Sequence, residues 1–220
     1  MIVLLDKERR QMMGNFIPPP GNAVILFNCK DLDNWQTRDG KPAGWEIKDG
    51  VIAVVPRTGD IMTKQEFTDV YLHLEWIEPD MPDATGQAKG NSGVFLQGRY
   101  EIQVLDSYGI EVPGKGDCGA IYNQYATLVN ACKPPLEWQS YDMIFRAARM
   151  NDGKLENARI TIFQNGKVIH NNVIFDGMTG GAIDDKVLEP GPLLLQDHGN
   201  FIKYRNIWVV ELPLKGSDKY

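Results

Sequence analysis

Short runs of apolar or alternating residues, each cut off by Gly, Pro, Asn or Asp, recur along this chain and constrain its fold more than any other feature. They fall at 23–27, 44–47, 51–55, 70–77, 92–97, 99–105, 118–122, 141–149, 158–164, 167–170, 192–196 and 201–210. Strand signals this dense predict an all-β sandwich or barrel. Two connections are specified locally: Asp49-Gly50 precedes Val51-Ile52-Ala53, and Asn165-Gly166 separates Ile160-Thr161-Ile162-Phe163 from Lys167-Val168-Ile169-His170. Such dipeptides favour two-residue hairpin turns, so neighbouring strands should run antiparallel. Beyond the first dozen residues no stretch holds a helical period for three turns, and helices are expected to be short and peripheral.

A length of 220 residues suits one domain of the larger all-β kind, and 43% apolar content supplies a sizeable core. The domain proper is expected over 21–220, after the stiff Pro18-Pro19-Pro20, with 1–20 as an N-terminal extension. The loops 78–92 and 106–117 are long enough to frame a binding site. Met1 to Leu5 form an apolar run that soon meets Asp6, Lys7, Glu8, Arg9 and Arg10, too short for a signal peptide or a membrane span. As it stands the chain is expected in the cytoplasm, or in the periplasm or secreted if a leader was removed. The net charge of −6 comes without any dense Lys/Arg cluster, which sets nucleic acid aside as a partner. Cys29, Cys118 and Cys132 are odd in number and lack a CxxC spacing, so neither a zinc site nor a full disulfide framework is indicated, and a Cys118–Cys132 bridge stays open.

Side chains two apart on a strand share a face. Tyr100, Ile102 and Val104 should therefore enter the core while Glu101 and Gln103 point away. By the same rule Val70, Leu72, Leu74 and Trp76 oppose Tyr71, His73 and Glu75; Phe95 and Gln97 alternate with Val94 and Leu96; and Leu193 and Leu195 alternate with Leu194, Gln196 and His198. A face left to water usually carries Lys, Thr and Ser. Here Glu, Gln and His beside aromatics dominate, a set that hydrogen-bonds sugar hydroxyls and stacks on pyranose rings.

The stretch Val24-Ile-Leu-Phe-Asn-Cys-Lys-Asp-Leu-Asp-Asn-Trp35, Asn91-Ser-Gly-Val-Phe-Leu96, Tyr100-Glu-Ile-Gln-Val-Leu-Asp106, Glu137-Trp138, Leu195-Gln-Asp-His-Gly199 and Tyr204-Arg-Asn-Ile207 line up in order from about residue 22 to 212. Together they resemble the 3-keto-disaccharide hydrolase family. That resemblance implies a concanavalin A-like jelly-roll sandwich of two antiparallel sheets, with long loops framing a concave face that takes glycosides oxidised at carbon 3 of glucose. The chain departs from the family pattern at Cys29 for Gly, at Gln97 for Arg, and at Gln139, which follows Trp138 in place of Asn. A weaker likeness joins Glu101-Ile-Gln-Val-Leu-Asp106 to the Glu-x-Asp-x-x-Glu strand of laminarinase-type glycosidases, without the middle carboxylate.

A ketone at carbon 3 acidifies the hydrogen on carbon 2, so a base can remove it, the enolate can expel the aglycone from carbon 1, and water can then add. The route needs a base of near-neutral pKa, a donor to the enolate oxygen and an acid for the leaving group. Glu101, His198 and Asp106 are the candidates. Gln103, Gln196, Glu75, Gln97 and Asn91 suit hydroxyl recognition, and Tyr122 or Trp138 offers an aromatic surface. No cofactor is firmly indicated and no metal-ligand set is assigned, although His73, Glu75, Glu101 and His198 could gather a divalent cation if their strands were neighbours. The partner is expected to be a small carbohydrate or glycoside. Two rival readings share these residues: a retaining glycosidase using Glu101 and Asp106, which needs carboxyl groups roughly 5 Å apart, and a carbohydrate-binding module without catalysis.

Overall fold

The computed structural model describes residues 17–213. The predicted extension over 1–20 therefore lies mostly outside the described residues. Among those described, two antiparallel sheets and one small ribbon account for the strands. The back sheet has eight strands, ordered β13 (Lys167–Ile174), β12 (Arg159–Gln164), β9 (Gln139–Arg146), β6 (Val70–Ile77), β15 (Lys203–Glu211), β4 (Val51–Ala53) and β3 (Glu46–Lys48), with β1 (Val24–Ile25) also paired to β15. The front sheet has five: β2 (Trp35–Gln36), β5 (Ile61–Phe67), β14 (Gly191–Leu195), β7 (Ser92–Leu96) and β8 (Tyr100–Val104). A ribbon of β10 (Arg149–Asn151) and β11 (Lys154–Glu156) stands apart from both. The chain changes sheet between β1 and β2, β2 and β3, β4 and β5, β5 and β6, β6 and β7, β8 and β9, β13 and β14, and β14 and β15, which makes the sandwich a jelly roll. Among the described residues the one helical turn is the 3-10 segment Gly86–Ala88, and no helix is long and apolar enough to cross a membrane.

Alternation decides what fills the space between the sheets. Val94, Leu96, Tyr100, Ile102, Val104, Leu193 and Leu195 of the front sheet meet Val70, Leu72, Leu74, Trp76, Tyr141, Met143 and Phe145 of the back sheet in one core. Each such side chain contributes about 1.5–3 kcal/mol on burial. The residues between them must then face outward, on opposite sides of the molecule: Phe95, Glu101 and Gln103 in front, Tyr71, His73 and Glu75 behind. The alternation expected for β6 is thus correct, but its polar side is turned away from that of β8.

Asp49-Gly50 and Asn165-Gly166 are hairpin turns with φ positive at both residues of each pair (54° and 75°, 52° and 78°). The chain makes two further such turns, at Asp152-Gly153 (47° and 75°) between β10 and β11 and, without advertisement in the sequence, at Gln97-Gly98 (52° and 63°) between β7 and β8. The strands differ from expectation at four places: β2, β5 and β11 fall outside the expected runs, and one expected run is not a strand. Strand β5 was hidden by three consecutive polar residues, Lys64, Gln65 and Glu66, all exposed where the strand runs on past its pairing with the two-residue β2. Residues 118–122 form no strand; only isolated bridges from Ile121 to Ile102 and Tyr125 remain, because Gly119 turns with φ of 81°.

Candidate functional site

Rows of paired residues on the outward side of the front sheet build the floor of a hollow. Met62, Leu194, Phe95 and Glu101 are cross-strand partners along one row. Along the next, the Gln196 backbone donates to the Gly93 carbonyl and Gly93 pairs with Gln103. A hollow of about 280 Å³ stands over this floor, lined by Glu101, Gln103, Asn91, Tyr122, Gln196 and His198, with Gln87, Gly180 and Gly181 added by the loops. Six of the residues expected from sequence therefore meet in one place. All five residues of β8 are buried, so Glu101 and Gln103 sit at the bottom of the hollow and not on an open surface.

Gly93 makes room for the carboxyl. A Cβ placed there would stand 2.6 Å from Glu101 Oε1 and 2.9 Å from the Phe95 ring, so any side chain would displace the acid. Glu101 is 4% exposed, and its backbone N–H donates to Thr179 Oγ1 at 2.8 Å. Burial first, and then the negative charge of Asp60, push its carboxyl up to about 8.

An amide relay beside it leaves two acceptors bare. Gln103 Nε2 donates to Gln87 Oε1 (3.0 Å) and to the Gly116 carbonyl (3.3 Å), while Asn91 Nδ2 donates to the Gln87 carbonyl (2.7 Å) and to Gln87 Oε1 (3.1 Å). The donor ends are spent on the loops, and Asn91 Oδ1 and Gln103 Oε1 remain buried without partners on the lining of the hollow. A buried, unpartnered carbonyl costs about 1–3 kcal/mol, which a ligand hydroxyl would return.

His198 is exposed at the rim, and the loop around it is tied down. Asp197 donates its N–H to Asp60 Oδ1, accepts the Gly59 N–H at Oδ2 and accepts the Gly199 N–H at Oδ1. Arg38 pairs with Asp60 at 2.7 Å and donates to the Gly181 carbonyl at 3.0 Å, joining the 197 loop to the 180 loop across one edge. Sequence reasoning missed Arg38, Asp60, Gln87, Gly180 and Gly181. They lie in loops where alternation says nothing, and the Gly180-Gly181 pair was the one signal that could have marked a close approach of backbone to ligand.

Four expected site residues lie elsewhere. Asp106 does not line the hollow; its side chain is buried in an ion pair with Lys89 at 3.0 Å and accepts the Tyr108 N–H, closing the strand onto its loops. Gln97 occupies the β7–β8 turn and donates to the Phe67 carbonyl at 3.0 Å. Glu75 and Trp138 belong to the back of the molecule, where Arg205 bonds Glu75 at 2.7 Å and lies over the Trp138 ring at 3.9 Å. The four ligands considered for a cation are divided in the same way, because His73 and Glu75 are in the back sheet while Glu101 is in the front sheet and His198 stands at its rim. Among the described residues no three His, Cys, Asp or Glu side chains converge as a metal site. Cys118 and Cys132 are free thiols that both receive the Gln164 amide, at 3.5 and 3.4 Å.

Residues 22–210 match the model of the 3-keto-alpha-glucoside-1,2-lyase-like domain. The chain belongs to this family. A crystal structure of a candidate glycosyl hydrolase from Parabacteroides distasonis ATCC 8503 superposes on this lyase-like domain with a TM-score of 0.79 and 37% identity, covering 92% of this chain and 96% of that one. Two further Parabacteroides distasonis structures, also described as candidate glycosyl hydrolases, share the fold at TM-scores of 0.65 and 0.61 with 21% and 23% identity. They cover 87% and 86% of this chain and 94% and 99% of theirs. No curated protein matches. The motifs Asn91–Leu96, Tyr100–Asp106 and Leu195–Gly199, which suggested the resemblance, supply Asn91, Glu101, Gln103, Gln196 and His198 to the hollow of this lyase-like domain.

Proposed function

We propose that this protein cleaves 3-keto-glucosides, including 3-keto-disaccharides, by elimination across carbons 1 and 2 followed by hydration. Glu101 takes the proton from carbon 2. The electron pair forms an enolate whose charge rests on the carbon-3 oxygen, and the His198 imidazole donates to that oxygen. Collapse of the enolate makes the carbon 1–carbon 2 double bond, breaks the glycosidic bond and releases the aglycone, whose oxygen takes up a proton. Water then adds its hydroxyl to carbon 1 and a proton returns to carbon 2, giving net hydrolysis. Asn91 Oδ1 and Gln103 Oε1 accept from sugar hydroxyls, Gln196 adds its amide, and the Tyr122 ring lies against the pyranose.

One observation carries this reading: a single buried carboxyl, raised to about 8, on the lining of a sugar-sized hollow with two bare acceptors. It favours proton abstraction over two-carboxylate glycosidase chemistry, since Glu101 is the one carboxylate among the described lining residues and Asp106 is tied to Lys89. It also argues against a binding module, which has no use for an acid kept at such a cost.

The test compares matched 3-keto and unoxidised glucosides, with release of the aglycone as the readout. Turnover is expected for the keto substrate alone, falling at least about a hundredfold in Glu101→Gln and more modestly in His198→Ala. Deuterium at carbon 2 should slow the reaction or wash out into solvent. Cleavage of the unoxidised sugar, or turnover that survives Glu101→Gln, would reject the mechanism.

A further inference from the structure

A second hollow lies on the other side of the molecule and has a different chemistry. It holds about 540 Å³ over the outward face of β9 and β12, beside the β10–β11 ribbon. Because Met143, Phe145, Ile160 and Ile162 enter the core, alternation turns Ile144, Arg146, Arg159 and Thr161 outward into this space.

Arg146 and Arg159 stand directly opposite one another as cross-strand partners. Like charges in that register destabilise a sheet unless an anion lies between or beside them. Two carboxylates line the hollow, and both are engaged. Glu156 is held by Arg146 at 2.9 Å and by the Asn151 amide at 2.8 Å, while Asp69 is gripped by Arg149 and accepts the Ala147 N–H. Arg159 shares the charge of Glu156, whose carboxyl it helps hold below the usual range, but its own Nε is buried and makes no hydrogen bond. A guanidinium with an unbonded Nε, on a residue that lines a partly enclosed space, is one half of a fork that a planar carboxylate completes.

The remaining lining describes the body of the ligand. A bulge interrupts the pairing of β12 and β13, with φ of 51° at Asn172, and it brings Asn171 and Asn172 to the rim. Their amides and the Thr161 hydroxyl suit sugar hydroxyls. Ile144, 47% exposed, offers an apolar surface for one face of a ring. We infer that this hollow is a second carbohydrate site, which binds a uronate-bearing saccharide through its carboxylate on Arg159. It is separate from the reading of the catalytic hollow, because the two lie on opposite outer faces of the sandwich.

Calorimetric titration of the whole protein with glucuronate and digalacturonate tests this, with glucose, cellobiose and glucose 6-sulfate as comparison ligands. Saturable uronate binding is expected, weakened about tenfold or more in Arg159→Gln, weakened less in Arg159→Lys, and retained in Glu101→Gln. Turnover at the front hollow should be unchanged by either Arg159 variant. Relief of the opposed charges should leave Arg159→Gln as stable as the parent, so a loss of binding is separable from unfolding in a melting curve. Five results would each overturn the inference: no saturable uronate binding at millimolar concentration, equal binding of the neutral sugars, binding of the sulfate ester alone, uronate binding that survives Arg159→Gln, or uronate binding that vanishes in Glu101→Gln. None of these results bears on cleavage of a keto-glucoside, so failure here is distinguishable from failure of the proposed reaction.

Discussion

Burial raises the Glu101 carboxyl to about 8, and no hydrogen bond from another described residue offsets it. As a base it must be ionised, so about one tenth of the free enzyme is competent at pH 7. The rate at low substrate is therefore expected to climb about tenfold per pH unit below 7 and to level off above 8, with the aglycone assay repeated across a buffer series as the check. A flat profile over that range would remove Glu101 from the base role. The neighbouring amides make a separate forecast. Asn91 Oδ1 and Gln103 Oε1 have no partners in the free protein, so Asn91→Ala or Gln103→Met removes an acceptor that only substrate uses. Each should raise KM by roughly tenfold, the worth of one hydrogen bond, with a smaller change in kcat. An effect on kcat alone would mean that these oxygens serve the transition state and not the bound sugar.

Strand β7 shows how an element can be legible in outline and opaque at its key position. Its alternation, Val94 and Leu96 inward and Phe95 outward, follows from the sequence, as does that of β8. What the sequence does not display is why Gly93 is a glycine. Its φ is not positive, so the reason is space: the Glu101 carboxyl fills the place of a side chain. Gly93→Ala is accordingly expected to cost most of the activity while leaving the fold intact, measured as aglycone release against the melting temperature. If the alanine variant kept full activity, the carboxyl would not need its observed place. The same limit explains the site residues that sequence reasoning misplaced. Period-two patterning sorts residues into faces but does not say which sheet a strand joins, so Glu75 passed as a neighbour of Glu101 although β6 and β8 belong to different layers. Gln97 continued an alternating run in sequence, yet the chain reverses there because Gly98 follows it. Asp106 sits at the right spacing from Glu101 on paper, but β8 ends at Val104 and Lys89 claims the carboxylate.

Three buried groups on both layers of the sandwich titrate with the same sign, so the molecule as a whole should weaken as pH rises. Glu101 is raised from 4.5 to about 8 by burial and by Asp60, and Glu78 is raised well above the usual carboxylate range by burial and by Cys118, despite donors from Trp76 and Gln139. His73 is desolvated, which alone would lower it, but Asp142 at 2.8 Å and Glu75 at 3.6 Å outweigh this and leave its pKa raised. A group whose folded pKa lies above its unfolded value binds more protons when folded. Its stability is complete below the unfolded pKa and is lost as pH climbs through the folded one. For Glu101 that window runs from about 4.5 to about 8, at about 1.4 kcal/mol per pH unit, or on the order of 3 kcal/mol by pH 7. Glu75 acts in the opposite sense, since burial opposes but His73, Asn206 and Arg205 prevail and hold it below 4.5, so its contribution is lost toward acid. The melting temperature is therefore expected to peak in mildly acid buffer and to fall toward pH 9. Glu101→Gln should be the more stable protein at pH 8 and should flatten the slope between pH 5 and 8, because the glutamine has no proton to lose. An identical slope in parent and variant would show that the Glu101 carboxyl ionises in the folded protein near its ordinary pKa, and the pH–rate argument would fall with it.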